Sequence, residues 1–408
     1  MANTLLTPSI IAKMAMVELD NAIVLGKQVY REYKQEFKKV GDTVSIRRPL
    51  QFTATTGAAA TAQDVVDANT SIVVNQQKNI MIGFTSSDLT LKEDIFAERI
   101  VRPIMRTLAN EIDRSCAGLY VQVPHWVGTP GQVINSFGDL SKGPERLDLN
   151  GVPTDSRFAV LSPSDTWAMA GSAAAQYQSP GIVNAAWSEG KLGNIAGLDM
   201  WSSQNVVTHT VGVATGTPLI NGASQNVTYA ASKDTWSQSL VTDGWTNSTT
   251  GILKAGDIFT IAGVYAVNPV TKATEAYLRS FVVTADANSG ASTGPATLTI
   301  SPPIITSGAY QTASAAPADN AAITVIGTGS TGYKQNLVLH KNAFALAMVD
   351  LEEPPVAPFV KTERWNGWSA RVTGNFDIDN DVSKLRFDVL YGVKCVNPEL
   401  ATRISGTP

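Results

Sequence analysis

Hydrophobic and polar positions change rhythm several times along this chain, and each change marks an element. Thr43–Phe52 and Ser71–Ile82 read as strand-like runs, and the roughly twenty residues between them are Ala, Thr, Gly and Gln with almost nothing large enough to pack. The pattern predicts a long hairpin that cannot bury its own tip. Ahead of it, Thr7 can cap and Pro8 suits the first position of a helix whose Ile10, Met14 and Val17 share a face, with Gly26 able to stop it. After it, Ile100, Ile104, Leu108, Ile112, Cys116 and Leu119 recur every three or four residues, which predicts an amphipathic helix reaching about Tyr120. Pro103 forfeits a backbone hydrogen bond inside that pattern, so a bend is expected there. A helix of ~25 residues spans ~37 Å, more than one small compact domain needs.

From Thr154 to Thr210 strand and helix alternate. Arg157–Leu161 predicts a strand, and Ser162, Pro163 and Asp165 resemble a capping box that opens a helix. A glycine-rich stretch, "GKLGNIAGLDMWSSQNVV", then leads into another strand. Residues 212–330 differ in kind: four basic residues (Lys233, Lys254, Lys272, Arg279) and six acidic ones are scattered among short β-branched runs such as "DIFTIAGVYAV", "SFVVTA" and "ATLTISPPII". Regular short strands with turn signals predict a separate all-β module, a small barrel or sandwich. Because the mixed pattern resumes in "NLVLHKNAFALAMVDL", the module is an insertion into the second domain.

Composition narrows the function classes. The chain has 408 residues, enough for two or three domains, and is 44% hydrophobic but only 16% charged. That is below the usual quarter or so of charged residues, so partners are expected to cover much of the surface. With 31 basic against 35 acidic residues the formal charge is −4, which excludes a global basic field for tight nucleic-acid binding. One local exception is Lys27, Arg31, Lys34, Lys38, Lys39, Arg47 and Arg48, which face only Glu32, Glu36 and Asp42: a solvated face, or a local site for acidic partners. Cys116 and Cys395 are too few for a disulfide framework and predict buried thiols in an intracellular chain. Lys13, Glu18 and Asp20 interrupt the start where a signal peptide needs an apolar run, and no apolar stretch of ~18 residues occurs, so a soluble protein made in the cytoplasm is expected.

Motifs for chemistry fail on their context. Gly327, Gly329 and Gly332 spell G-x-G-x-x-G, but "NLVLH" reads as a strand where a dinucleotide loop needs a helix, so they mark a junction between module and host. "DIDND", Asp377–Asp381, mimics half a calcium loop, yet its sixth position is Val382 and its twelfth Asp388, which predicts a polar turn. His125, His209 and His340 have no second ligand at metal spacing. With no nucleophile elbow, zinc-binding helix or phosphate loop, no catalytic site, cofactor or metal is expected, and the features favour assembly.

The order of segments resembles a tailed-phage major capsid protein of the Hong Kong 97-type fold. The stretches that carry it are "GDTVSIRRP", "QKNIMIGFTSSDLTL", the helix with "PIMRTLANEID", "GNIAGLDMWSSQNV", "LVLHKNAFALAM" and "LRFDVLYGVKCVNPELATRI", and they run over nearly the whole chain. The inserted module, especially "LKAGDIFTIAGVYAVNP", is similar to the extra domain in coat proteins of the short-tailed Salmonella phages. The resemblance implies an α+β fold made of an N-terminal arm (1–40), an extended hairpin loop (41–83), a peripheral domain (84–153) with a spine helix (88–120), an axial and peripheral part (154–211 and 332–408) and an inserted β-barrel-like domain (212–331).

It also implies a non-enzymatic shell protein that forms hexamers and pentamers around double-stranded DNA in the virion capsid, after assembly in the host cytoplasm. Implied partners are other copies of itself, a scaffolding protein, a portal protein, weakly held packaged DNA and a decoration protein, with no membrane. Candidate inter-subunit contacts are Lys38, Lys39, Arg47, Arg48, Thr55, Thr56 and Gln63 on the arm and hairpin, and Lys233 and Asp234 in the module. In the Salmonella-phage relatives the inserted domain carries a charged loop that joins capsomers. The matching "VTYAASKDTWSQS" is shorter and offers only Lys233 and Asp234, so here the module is expected to serve mainly folding and subunit stability. Two alternatives stand beside this: a cellular encapsulating shell of the same fold, and a carbohydrate-binding surface protein that stacks sugars on Trp236 and Trp245.

Overall fold

The computed structural model describes residues 8–32, 43–54, 62–63, 65–85, 97–176, 193–355, 359–378 and 382–408. Contacts divide the chain into two units. The first comprises Met1–Ser45, Ser71–Ala117 and Phe344–Lys394, and the second Ile46–Thr70, Gly118–Ala343 and Cys395–Pro408.

In the first unit the 14-residue strand Val382–Cys395 is the spine of a sheet. Trp368–Asp377 pairs antiparallel with it on one edge and Gln76–Thr85 on the other, and Phe359–Trp365 continues the sheet beyond Trp368–Asp377. The outermost hairpin turns at Asn366 and Gly367, both in the left-handed region (φ 46° and 84°), the backbone that a two-residue turn between twisted strands demands. Helix Pro8–Ala22 packs against this sheet and against helix Arg102–Ala117.

Its buried side is Ile11, Ala12, Ala15, Met16 and Leu19, and Val17 of the predicted face is 46% exposed. Packing therefore buries a side that includes two small residues, Ala12 and Ala15, which a stripe of large apolar residues does not count. The helix ends at Ala22, and Gly26 lies inside a second short helix, Leu25–Gln28, instead of stopping the first. Buried Asp113 reaches from the neighbouring helix to accept hydrogen bonds from the Val24 and Gly26 N–H groups at 2.8 and 2.9 Å, satisfying the free donors of that turn. Burial raises the Asp113 carboxyl pKa against the pull of those amides.

The predicted amphipathic stripe is buried at Ile104, Leu108, Ile112, Cys116 and Leu119. Winding is π over Ala97–Val101 and α over Arg102–Ala117, then 3₁₀ over Gly118–Gln122, so the irregularity falls immediately before Pro103, whose missing N–H costs nothing in a first turn. Residues 88–96 of the expected spine helix lie outside the described residues.

The long hairpin departs from its sequence pattern. Its outgoing strand is Thr43–Arg47 and stops before Pro49, which has no N–H to offer. The returning run is two strands: Asn69–Val73 pairs with Thr43–Arg47, and Gln76–Thr85 leaves to join Val382–Cys395. The break sits where Val73 passes Gly392 so closely that a Cβ on the glycine would come within 2.3 Å of the Val73 carbonyl oxygen.

The second unit holds a mixed six-stranded sheet, ordered Trp126–Val127, Ala401–Ile404, Asn336–His340, Arg157–Leu161, Leu198–Ser202, Asn194–Ile195. Asn336–His340 and Arg157–Leu161 are buried along their whole length, and Ile134, Leu140, Leu147, Met169 and Val338 form the core beneath helices Phe137–Leu149 and Pro163–Gln176. The Ser162 hydroxyl caps the second helix at the Asp165 N–H (3.3 Å), but the Ser162 N–H donates to Asn336 Oδ1 (2.8 Å), so Asp165 does not complete the predicted reciprocal box.

The β module has six antiparallel strands ordered Ile323–Val325, Ile258–Val267, Thr274–Val283, Ala296–Ser301, Gln238–Trp245, Gly216–Ile220. A Leu219–Ala322 bridge brings the last strand beside the first and closes a small barrel. Phe259, Phe281, Leu240, Leu298, Trp245 and Ile300 fill it. Thr208–Thr210 pairs with Gly332–Lys334, so the chain enters and leaves the module through one two-stranded stem. The last glycine of the triplet opens strand Gly332–Lys334, and strand Asn336–His340 follows, which gives that loop no helix with which to bind a dinucleotide.

Candidate functional site

Two charged clusters organise the second unit. The first lies at the base of the long hairpin. There the Arg48 N–H donates to the Ala68 carbonyl (2.9 Å), and Gln63 Oε1 accepts from the Thr53 N–H (3.0 Å), tying the two arms together. The module's Tyr229–Trp236 segment grips both arms. Asp234 Oδ1 accepts from the Asn69 N–H at 3.1 Å, the Lys233 ammonium donates to the Asp67 carbonyl at 3.2 Å, and Lys233 pairs with Asp234 at 2.9 Å. Opposite them, the Tyr310 hydroxyl accepts from the Gln51 N–H at 3.1 Å, and the Arg48 guanidinium lies 5.1 Å from the centre of the Trp236 ring.

Tyr229 stacks on Tyr310 and meets Trp236 edge-on, 6.4 Å between centres. Burial lowers the Arg48 guanidinium pKa and, with the neighbouring Tyr310, raises that of Tyr229; Lys233 and the Asn69 N–H lower that of Asp234. Beyond this base, Phe52 and Val65 are 58% and 63% exposed.

The second cluster is the seam between barrel and host sheet. Arg279, on barrel strand Thr274–Val283, reaches Glu399 Oε1 at 2.5 Å, and the other Glu399 oxygen lies 2.8 Å from His125 Nε2. Burial alone would raise the Glu399 carboxyl; Arg279 and His125 outweigh it and hold it well below the usual range. Burial lowers His125 against the pull of Glu399. Two residues along the same strand, Tyr277 lies under the Arg146 guanidinium.

At the other end of the seam, His209 bridges Tyr120 (2.8 Å) and Asp257 (2.7 Å), and Asp257 also accepts from the Gly212 and Lys254 N–H groups. Arg403, 1% exposed, donates to the carbonyls of Gly256 and Tyr120, both at 2.7 Å, and to Gln335 Oε1 at 3.1 Å. Burial lowers its pKa to about 9. Each buried charge therefore has a partner on the opposite side of the seam, which fixes the barrel to its host.

The family of the P22 coat protein, gene protein 5, matches residues 2–406. The chain belongs to that family. This coat protein is 26% identical over 404 residues to the major capsid protein of Acyrthosiphon pisum secondary endosymbiont phage 1, covering 95% of this chain and 94% of that protein. A solved structure from Mycobacterium phage Che8 is 14% identical, covers 93% of this chain and 90% of that one, and has a TM-score of 0.48. The CUS-3 coat protein I-domain is 28% identical over 27% of this chain and 96% of that one, with a TM-score of 0.20. The chain is thus a major capsid protein of a tailed phage, an α+β coat protein with an inserted β domain, and its place is the virion capsid. A capsid shell requires that it associate with copies of itself.

The structure distributes the sequence-predicted contact residues unevenly. Arg48, Lys233 and Asp234 meet at the hairpin base, and Gln63 clamps the hairpin internally. Arg47 points outward with its side chain 80% exposed, 3.8 Å from Asp67. Lys38, Lys39, Thr55 and Thr56 lie outside the described residues, as do Thr7, Lys34 and most of "DIDND".

The tryptophans proposed as sugar platforms are occupied: Trp245 is 2% exposed in the barrel core, and Trp236 lies beneath Arg48. Of the remaining basic stretch, Lys27 pairs with Asp20 and Arg31 covers Trp368. Sequence reasoning missed Asp113, Asp257, Arg279, Glu399 and Arg403. For Arg279 and Arg403 the available signal was a charge set among apolar residues; Asp113 in "NEIDRS", Asp257 after "LKAG" and Glu399 in "VNPEL" carried no such signal. Among the described residues no group of three or more His, Cys, Asp or Glu is placed to hold a metal ion, and no helix is long and apolar enough to cross a membrane.

Proposed function

We propose that this coat protein builds an icosahedral shell of hexamers and pentamers around double-stranded DNA and acts as a structural protein, not an enzyme. In this reading residues 1–40 are the arm, 41–83 the extended loop, 88–120 the spine helix, 154–211 with 332–408 the axial and peripheral parts, and 212–331 the inserted domain. The observation that carries it is the hairpin: its base is held by many polar contacts, while Phe52 and Val65 stand exposed beyond it. A neighbouring subunit supplies the missing cover, and its repetition through closed symmetry sums many weak contacts into a stable shell.

Assembly takes place in the host cytoplasm with a scaffolding protein and a portal protein. Packaged DNA is held weakly, as a net charge of −4 suits. Lys38, Lys39 and Arg47 serve acidic surfaces of scaffolding or of a neighbour. Negative-stain electron microscopy of the chain expressed alone and with a scaffolding partner tests the reading. Closed shells with hexameric and pentameric units are expected, and a monodisperse monomer in both preparations would overturn it. Reversing Lys38 and Lys39 to Glu should hinder closure, and normal shells from that variant would remove the basic stretch from the account.

A further inference from the structure

The contacts at the hairpin base share a property that its sequence does not advertise: most of them are made to backbone. Asp234 takes the Asn69 N–H, Tyr310 takes the Gln51 N–H, and Lys233 gives to the Asp67 carbonyl. Of the described hairpin contacts with the module, Arg48 is the one made through a hairpin side chain: its guanidinium lies 5.1 Å from the centre of the Trp236 ring, and its Nε has no hydrogen-bond partner among the described residues. Trp236 itself has φ 53°, a left-handed backbone that costs a bulky residue of order 1–3 kcal/mol and persists only where surrounding structure imposes it. Residues 46–70 accordingly group with the module's unit, whereas 43–45 and 71–73 group with the other.

We propose that the Tyr229–Trp236 edge of the inserted module, with Tyr310, is a clasp that grips the hairpin by its backbone and sets the direction in which it leaves its own subunit. The inference rests on the reading of the hairpin as the part that reaches a neighbour. A grip on backbone donors and acceptors is indifferent to side-chain identity but strict about register, because successive N–H groups of an extended chain point to opposite sides and a one-residue slip turns every donor away. The hairpin can therefore carry a tip of Ala, Thr and Gly without losing its aim.

Amide hydrogen exchange on unassembled subunits tests the clasp. Gln51 and Asn69 amides should be protected in the native chain. Tyr310→Phe should speed exchange at Gln51, and Asp234→Ala at Asn69, each by about tenfold, the worth of one hydrogen bond to a polar or charged partner. Gln51→Ala and Asn69→Ala should leave protection at those positions unchanged. The tyrosine change removes one oxygen at the barrel surface, and an unaltered melting of the Trp245 core shows that the module is intact. Unprotected amides in the native chain, or protection unchanged in both module variants, would overturn the clasp.

Assembled with scaffolding, the double variant Tyr310→Phe/Asp234→Ala should give more open and misclosed shells than the native chain. A normal proportion of closed shells would overturn its role in aiming the hairpin. Because exchange is read before assembly, absence of shells from the native chain would sink the assembly reading and not the clasp.

Discussion

Arg279→Met should expose how much of the module's anchoring is a single buried charge pair. The Arg279 side chain is 4% exposed and Glu399 22%, and they meet at 2.5 Å. Removing one partner of such a pair costs about 3–5 kcal/mol because the other is left charged and poorly solvated. Glu399 keeps some solvent and His125, so about 3 kcal/mol is expected, read by urea denaturation of the barrel-containing unit.

Arg279→Met/Glu399→Gln removes both charges and keeps an acceptor for His125, and should recover most of the loss, leaving about 1 kcal/mol. The pH dependence has a definite sign. In the native chain the Glu399 carboxyl is held below its unfolded value, so its contribution is fully present above the ordinary glutamate pKa of about 4.3 and is lost progressively as pH falls from there through the lower folded value. In Arg279→Met that carboxyl is unpaired and prefers a proton, or a protonated His125 beside it. The deficit of the variant relative to the native chain should therefore shrink as pH falls from 7 to 4. A double variant as unstable as Arg279→Met, or a deficit constant with pH, would refute the charge argument and assign the loss to packing.

Two further substitutions test other joints. Gly26→Ala would place its Cβ 2.9 Å from Ile23 Cγ2 and 3.2 Å from Trp368, so overpacking should cost about 1–3 kcal/mol in denaturation of the first unit. Asp257→Asn removes the charge and turns one oxygen into a donor: at the Oδ2 position it faces both the Gly212 and Lys254 N–H groups, and at the Oδ1 position it faces His209 Nε2. The barrel should lose about 2 kcal/mol, seen as earlier melting of the Trp245 fluorescence.

Local pattern made the elements legible and left their partners hidden. The stripe from Ile104 to Leu119 and the strand at Arg157–Leu161 are written in neighbouring residues, so the chain could be read for them. The fate of Ser71–Ile82 could not. Alternation declares a strand, but only the close passage of Val73 by Gly392 breaks it and sends Gln76–Thr85 to Val382–Cys395. The first helix failed for a related reason, since a stripe counts large apolar residues whereas the helix packed through Ala12 and Ala15. The Asn366–Gly367 turn carried a signal that the sequence reading passed over.

The polar joints were the least legible because they join residues far apart in sequence: Arg279 lies 120 residues from Glu399, and Asp257 lies 48 from His209. Spacing carries no information at such separations. What does carry it is the physical cost of the residues themselves. An arginine inside "AYLRSFVV" or "ELATRI" cannot be buried without an anion or a set of carbonyls to receive it, so each such residue announces an unseen partner. The seam bears this out, since Arg279 receives a carboxylate and Arg403 three oxygens. Lys233 and Asp234 show the opposite limit. A charged pair in a turn announces no partner of its own, and the fold shows it closing on the hairpin of its own chain.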